Sequence, residues 1–222
     1  MSIEVNKIDA VVQDKTRTKR QPLLRFLRFF AIFIACLCLF LWYIGVFGGN
    51  VHEVVKGQAY RSAELTGANL QRVLASDHIR SVINLRGGSP KDRWYRSEIA
   101  VTKAAGADHY DVTLSSSHLP DPKRLIQLLS TFDHARYPVI WHCQAGADRA
   151  GLVGTIYLNV YQNVPLNQAE DRQLTWHYGH FRFGDTHAMN DFFNLYRSTN
   201  SGLSLRQWIN TKYPTLYKQN GG

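Results

Sequence analysis

The stretch His142-Cys143-Gln144-Ala145-Gly146-Ala147-Asp148-Arg149-Ala150-Gly151 restricts the fold more than any other part of the chain. It follows a short apolar, β-prone run, Pro138-Val139-Ile140-Trp141, and leads into an apolar pattern of helical period. It therefore reads as the loop between a buried strand and a helix N-terminus. Five residues, most of them small, separate Cys143 from Arg149. Small residues let successive backbone N–H groups curl around an anion, and the helix dipole adds positive potential at the same place. Such a field favours the thiolate form of a cysteine. Arg149 adds a planar fork of donors that can hold two oxygens of one phosphate. A buried structural cysteine beside a surface arginine would leave the small residues between them without a purpose.

The rest of the chain supplies the frame such a loop needs. Val54 to Ser62 reads as a strand, Leu65 to Ala75 as a helix, and Ile79 to Leu85 as a strand running into the Arg86-Gly87-Gly88 turn. Trp94 to Ala105 is helical with Gly106 as its stop, and His109 to Leu114 is a further strand. Asp121 before Pro122 has the form of an N-cap, starting a helix through about Phe132. After the loop, Gly151 to Tyr161 is helical. Asn167 and Glu170 look like a capping pair, and Met189 to Tyr196 and Leu203 to Lys212 complete a helical tail. Strands alternating with helices predict an α/β fold with a central, mostly parallel sheet flanked by helices. In such sheets ligands bind beyond the carboxyl ends of the strands, where this loop falls.

His-Cys-x5-Arg followed by a small residue and Gly resembles the signature of the cysteine-dependent phosphatases, the dual-specificity and protein-tyrosine group, in a bacterial membrane-anchored form. The resemblance covers roughly residues 54 to 162 by pattern. It implies a two-step displacement without metal or cofactor, in which Cys143 takes the phosphoryl group and water then releases it. Arg149 and the N–H groups along Gln144, Ala145, Gly146 and Ala147 would bind the phosphoryl oxygens. His142 would orient the loop rather than act as a base. Arg86 and Arg61 resemble positions lining the mouth in bacterial relatives, where they could hold a second phosphate or a headgroup; as surface arginines in solvated pairs they would do neither.

The leaving-group acid departs from the familiar pattern. Where many relatives place an aspartate after the strand ending at Leu114, this chain has Ser115 to Ser117. Asp148, inside the loop, is the first candidate for the acid, as in phosphoinositide-phosphatase relatives with an Asp-Arg loop. Asp121 is the second, although its cap position already occupies it, and Asp111 the third. Ala150 stands where relatives carry a Ser or Thr that eases breakdown of the phosphoenzyme, which implies slower turnover. His177 and His180 lack a carboxylate or cysteine at ligand spacing, so no metal site is expected. Trp176, Tyr178 and the run Phe181 to Phe183 read as packing in the core or around the mouth rather than as a base-stacking platform.

Charge and hydropathy suggest where the loop would work. The chain of 222 residues has a net charge of +9, of which residues 1–28 supply +4 from seven Lys or Arg against three Asp or Glu. A moderately basic domain suits anionic substrates, and nothing resembles a nucleic-acid motif. Residues 29–47 contain no charged side chain and have the length of a bilayer-spanning helix. The basic residues before this run predict a single-pass signal anchor in the inner membrane, with the N-terminus inside and the catalytic domain extracytoplasmic. The expected organisation is a tail at 1–28, a transmembrane helix at 29–47 and a phosphatase domain at 54–222. Cys143 is then the single thiol of the folded part, since Cys36 and Cys38 fall in the span. The expected substrate is a phosphorylated protein or a lipid or glycolipid phosphate. The alternative function is a non-catalytic phosphate-binding sensor at the membrane.

Overall fold

The computed structural model describes residues 25–40, 42–43, 49–182 and 184–219. Two units separate by their internal contacts, Met1–Ile44 and Gly45–Gly222. In the first, residues 25–40 form helix α1. Residues 42–43 are helical as well. Among the described residues no helix is long and apolar enough to cross a membrane. This overturns the expected transmembrane helix at 29–47 and, with it, the expected inner-membrane, extracytoplasmic placement. Residues 41 and 44–47 of that segment, and residues 1–24 of the expected tail at 1–28, lie outside the described residues.

The second unit is built on a five-stranded sheet of order β1-β2-β5-β3-β4, from β1 (His52–Val55), β2 (Ala59–Ser62), β3 (Ser81–Asn84), β4 (Asp108–Asp111) and β5 (Val139–His142). β2, β5, β3 and β4 run parallel, and β1 adds an antiparallel edge. The single strand expected from Val54 to Ser62 is thus a hairpin. Lys56-Gly57-Gln58 turns the chain, with Gly57 at φ +65°, a conformation that glycine adopts without a Cβ penalty.

Helices cover both faces of the sheet. Tyr60, Val82 and Ile140 pack against Leu70 and Leu74 of α2 (Gly67–Ser76), with Val101 of α3 (Arg93–Ala104) alongside. Alternate residues of the same strands, among them Ile83, Val139 and Trp141, face the larger core. That core is filled by α4 (Pro122–His134), α5 (Asp148–Gln162), α7 (Ala188–Thr199) and α8 (Leu205–Thr211). A strand buried on both faces loses the polar alternation of an exposed one, which is why Val139-Ile140-Trp141 reads as a continuous apolar run. Asp121 caps α4 as expected, its side chain accepting from Lys123 N at 2.7 Å. The expected Asn167–Glu170 capping pair does not form: α6 (Leu166–Gln173) already includes both residues and starts after Pro165 without a side-chain cap. The one described capping box is Ser204–Gln207, at the start of α8. A final helix, α9 (Tyr213–Gln219), follows.

Parallel register aligns Ser62, His142, Asn84 and Asp111 in one row at the carboxyl edge of the sheet. Everything that follows is mounted on that row.

Candidate active site

Cys143 leaves β5 and Asp148 opens α5, so the loop occupies five residues, 143–147. Cys143 is buried at the base of the loop. Gly146 has φ +68°, and a Cβ there would meet Ala63 N at 2.5 Å and Ser62 C at 2.7 Å. The loop can curl back on the sheet only because this residue has no side chain.

Each of the next four carbonyls is tied by a group outside the loop. Glu64 N donates to Gln144 O at 3.2 Å, and Asn50 Nδ2 donates to Ala145 O at 3.0 Å. Arg61 Nη2 donates to Gly146 O at 2.6 Å and to Ala147 O at 3.0 Å. Across a planar trans peptide, C=O and the next N–H point in opposite directions. With these oxygens held outward, the N–H groups of Ala145, Gly146, Ala147 and Asp148 turn toward the concave side, at the N-terminus of α5. That is an anion-binding nest held in shape by the protein's own groups.

Arg61 stands beneath the loop, not at the mouth where the sequence places it. Its side chain is fully buried, and Nη1 donates to both Gln173 O and Gln173 Oε1 at 2.8 Å. Its Cζ lies 4.3 Å from the Tyr178 ring centroid. A guanidinium committed to four oxygens has little left for a substrate. Gln173 can come this close because Gly151 and Gly154 leave its path clear. A Cβ on Gly154 would lie 2.4 Å from Gln173 Oε1. Burial lowers Arg61 to about 10, against the opposing pull of Cys143, Tyr178 and Asp148, so it remains a cation at neutral pH.

Arg149 follows Asp148 in the first turn of α5. Nη1 reaches Leu114 O at 3.4 Å, while the buried Nε has no hydrogen-bond partner among the described residues. Arg86 pairs with Glu64 and stacks over Trp94 with Cζ 4.3 Å from the ring centroid. It therefore stands at the shoulder of the loop, since Glu64 is also the residue whose N–H holds Gln144. A cavity of about 580 Å³, lined by Glu64, Thr66, Asp92, Arg93 and Trp94 among others, opens on the same side.

The three acid candidates have different surroundings. Asp121 caps α4. Asp111 accepts from Asn84 Nδ2 at 2.9 Å and from the Tyr95 hydroxyl, and that hydrogen bond pushes Tyr95 up to about 12. Asp148 alone sits within the loop–helix junction, its side chain one-fifth exposed, with Oδ1 2.7 Å from His180 Nδ1.

Behind Cys143, His142 Nε2 lies 2.9 Å from Glu98 Oε2, and His109 Nε2 lies 2.8 Å from Glu98 Oε1. Burial alone would raise the Glu98 carboxyl, but the hydrogen bond with His109 and the adjacent His142 ring outweigh it and hold Glu98 down at about 2. An ionised carboxylate thereby lies against the ring next to the thiol. Ala150, fully buried, offers no hydroxyl.

Asn50, Gln173, Glu98 and His180 were not legible as site residues. None lies in a local motif, and the nearest signal is the pair of helix glycines, Gly151 and Gly154, that admit Gln173.

Residues 45–180 match the profile of the tyrosine phosphatase family. Among solved structures, TpbA of P. aeruginosa is similar with a TM-score of 0.54 at 18% identity, over 66% of this chain and 84% of that one. A Cys-to-Ser variant of TpbA in complex with pTyr gives 0.52 at 18% identity, over 69% and 91%. The core catalytic domain of the PP-IP phosphatase SIW14 from S. cerevisiae, in complex with citrate, gives 0.51 at 20% identity, over 68% and 93%. At these identities the likeness to solved structures is one of fold. No curated protein matches the chain.

Proposed function

The chain belongs to the tyrosine phosphatase family and is a cysteine-dependent phosphatase, and from that premise we propose that it hydrolyses phosphomonoesters, phosphotyrosine foremost, through a cysteinyl-phosphate at Cys143. The observation that carries this reading is the loop whose four carbonyls are held outward by Glu64, Asn50 and Arg61.

Phosphate enters with its oxygens on the inward N–H groups and on the Arg149 fork, which suits two oxygens at once. Cys143 Sγ attacks phosphorus opposite the ester oxygen. The S–P bond forms as the P–O bond breaks, and Asp148 gives its proton to the leaving oxygen. Water then attacks the phosphocysteine, passing a proton back to Asp148, and phosphate leaves with the thiolate restored. The donors are held in place by Glu64, Asn50 and Arg61, so charge developing on the equatorial oxygens is met by aligned N–H groups. Arg61 acts by holding the loop, and Arg86 with Trp94 shapes the mouth.

An aromatic phosphoester is favoured because Trp94 stands at that mouth and because the TpbA variant, of the same fold, was crystallised with pTyr. The lipid and glycolipid reading drew on the transmembrane segment, the basic mouth and the Asp-Arg loop, and it loses the first of these. Phosphate release from a phosphotyrosine peptide by the purified full chain, measured beside Cys143→Ser, tests the proposal. Parent activity no faster than Cys143→Ser would leave only the phosphate-binding sensor.

A further inference from the structure

His180 lies outside the loop and outside every element the sequence connects with it, yet its ring is fully enclosed and both nitrogens are engaged. Nδ1 is 2.7 Å from Asp148 Oδ1, and Nε2 is 2.9 Å from the side-chain amide oxygen of Asn190 on α7. A ring needed only to fill space would not take polar side chains from two different helices. We infer that His180 is the positioning residue of the leaving-group acid: its Nδ1–H donates to Asp148 Oδ1, leaving Oδ2 as the oxygen that carries and delivers the proton. This rests on the reading of Asp148 as that acid.

The chemistry balances without any further reactant. As the S–P bond forms and the P–O bond breaks, the proton on Asp148 Oδ2 moves to the leaving oxygen, and the new carboxylate keeps its hydrogen bond from His180. In the second step water attacks phosphorus as the P–S bond breaks and the Cys143 thiolate departs, and one proton of the water returns to Asp148 Oδ2. A donor aimed at Oδ1 matters most when the carboxylate is fully formed, so its contribution grows with the charge left on Asp148 at the transition state. Asn190 can present either its oxygen or its NH2 to Nε2, so it holds the ring in either charge state of the imidazole.

The dependence of rate on the leaving group separates this role from scaffolding. In a series of aryl phosphates, a good leaving group departs with little help, whereas a poor one needs the proton. On the full-length enzyme, His180→Phe is expected to slow the poor leaving group about 30-fold more than the good one. His180→Asn, whose amide N–H can stand where Nδ1–H stood, should bring that ratio back to within about threefold of the parent. His180→Gln, whose amide reaches the Nε2 position instead, should not. In an Asp148→Asn background, His180→Phe should add no further leaving-group penalty.

Equal losses on good and poor leaving groups in His180→Phe, or a further penalty in the double variant, would overturn the inference while leaving the acid role of Asp148 intact. If Asp148→Asn itself showed no leaving-group effect, the reading of Asp148 would fail and this inference with it. Should His180→Phe not fold, the Asn and Gln variants carry the same test, and identical behaviour of the two would overturn it.

Discussion

Arg61 Nη2 donates to Gly146 O at 2.6 Å while Nη1 donates to Gln173 O at 2.8 Å, so one buried guanidinium on β2 joins the anion loop to the end of α6. Lysine has a single ammonium and cannot span oxygens on both sides. Arg61→Lys should reduce kcat/KM by about 100-fold and stability by about 2–4 kcal/mol, since several buried acceptors lose their donor. Phosphate-release kinetics and urea unfolding check both numbers. Activity within threefold of the parent would show that the loop holds its shape without this residue.

Gly146→Ala asks for a side chain at φ +68° with its Cβ 2.5 Å from Ala63 N. The strain costs on the order of 1–3 kcal/mol and is relieved by moving the loop, so activity should fall far more than stability. An unchanged affinity for inorganic phosphate would contradict the argument that the nest depends on this backbone.

Cys143→Ser should abolish turnover yet keep anion binding, because the nest is made of backbone and Arg149. Arg149→Lys should lose both, with kcat/KM falling about 1,000-fold as two fixed donors become one mobile charge. Isothermal titration with phosphate separates the two outcomes.

Ala150 is buried without a hydroxyl beside the loop. With a good leaving group, rapid-mixing experiments should show a burst near one product per enzyme, followed by slow phosphoenzyme breakdown. Ala150→Ser should raise the steady-state rate several-fold and shrink the burst. A parent enzyme with no burst would place the slow step elsewhere.

Acid should weaken the fold through His52. Burial, then Arg61 and then His177 lower His52 from 6.5 to about 4, and its Nε2 contacts Asn50, the residue holding Ala145 O. The unfolded chain therefore takes up this proton first. Stability is complete above about 6.5, falls as pH drops toward 4, and changes no further on this account below that. The loss is on the order of 2 kcal/mol after allowance for partial exposure. Urea unfolding against pH should show that window, and His52→Gln should flatten it.

The chemistry of the loop was legible because it is local. Cys143, the small residues to Ala147 and Arg149 lie on one continuous segment, and the apolar runs on either side identify it as a strand-to-helix turn. Strand and helix alternation likewise announced the parallel sheet, since a doubly buried strand and an amphipathic helix each leave their own period in the sequence. Two expectations failed where local pattern ran past what the backbone does. An uncharged stretch matched a span in length, but no described helix is long and apolar enough to cross a membrane, and the segment from Val54 to Ser62, which reads as one strand, is a hairpin turning at Gly57.

What tertiary structure alone decided is which groups surround the loop. Hydrogen bonds and ion pairs form between residues far apart in the chain, and no periodicity records them. Arg61 looked like a residue of the mouth, and only parallel pairing of β2 with β5 shows that it lies beneath the loop. His180 looked like half of an incomplete metal pair until folding placed it between Asp148 and Asn190. The short segment from Cys143 to Arg149 carries the signature of the family, and the partners gathered from the residues before β1 and from β2, α3, α6 and α7 decided the geometry in which the loop is held.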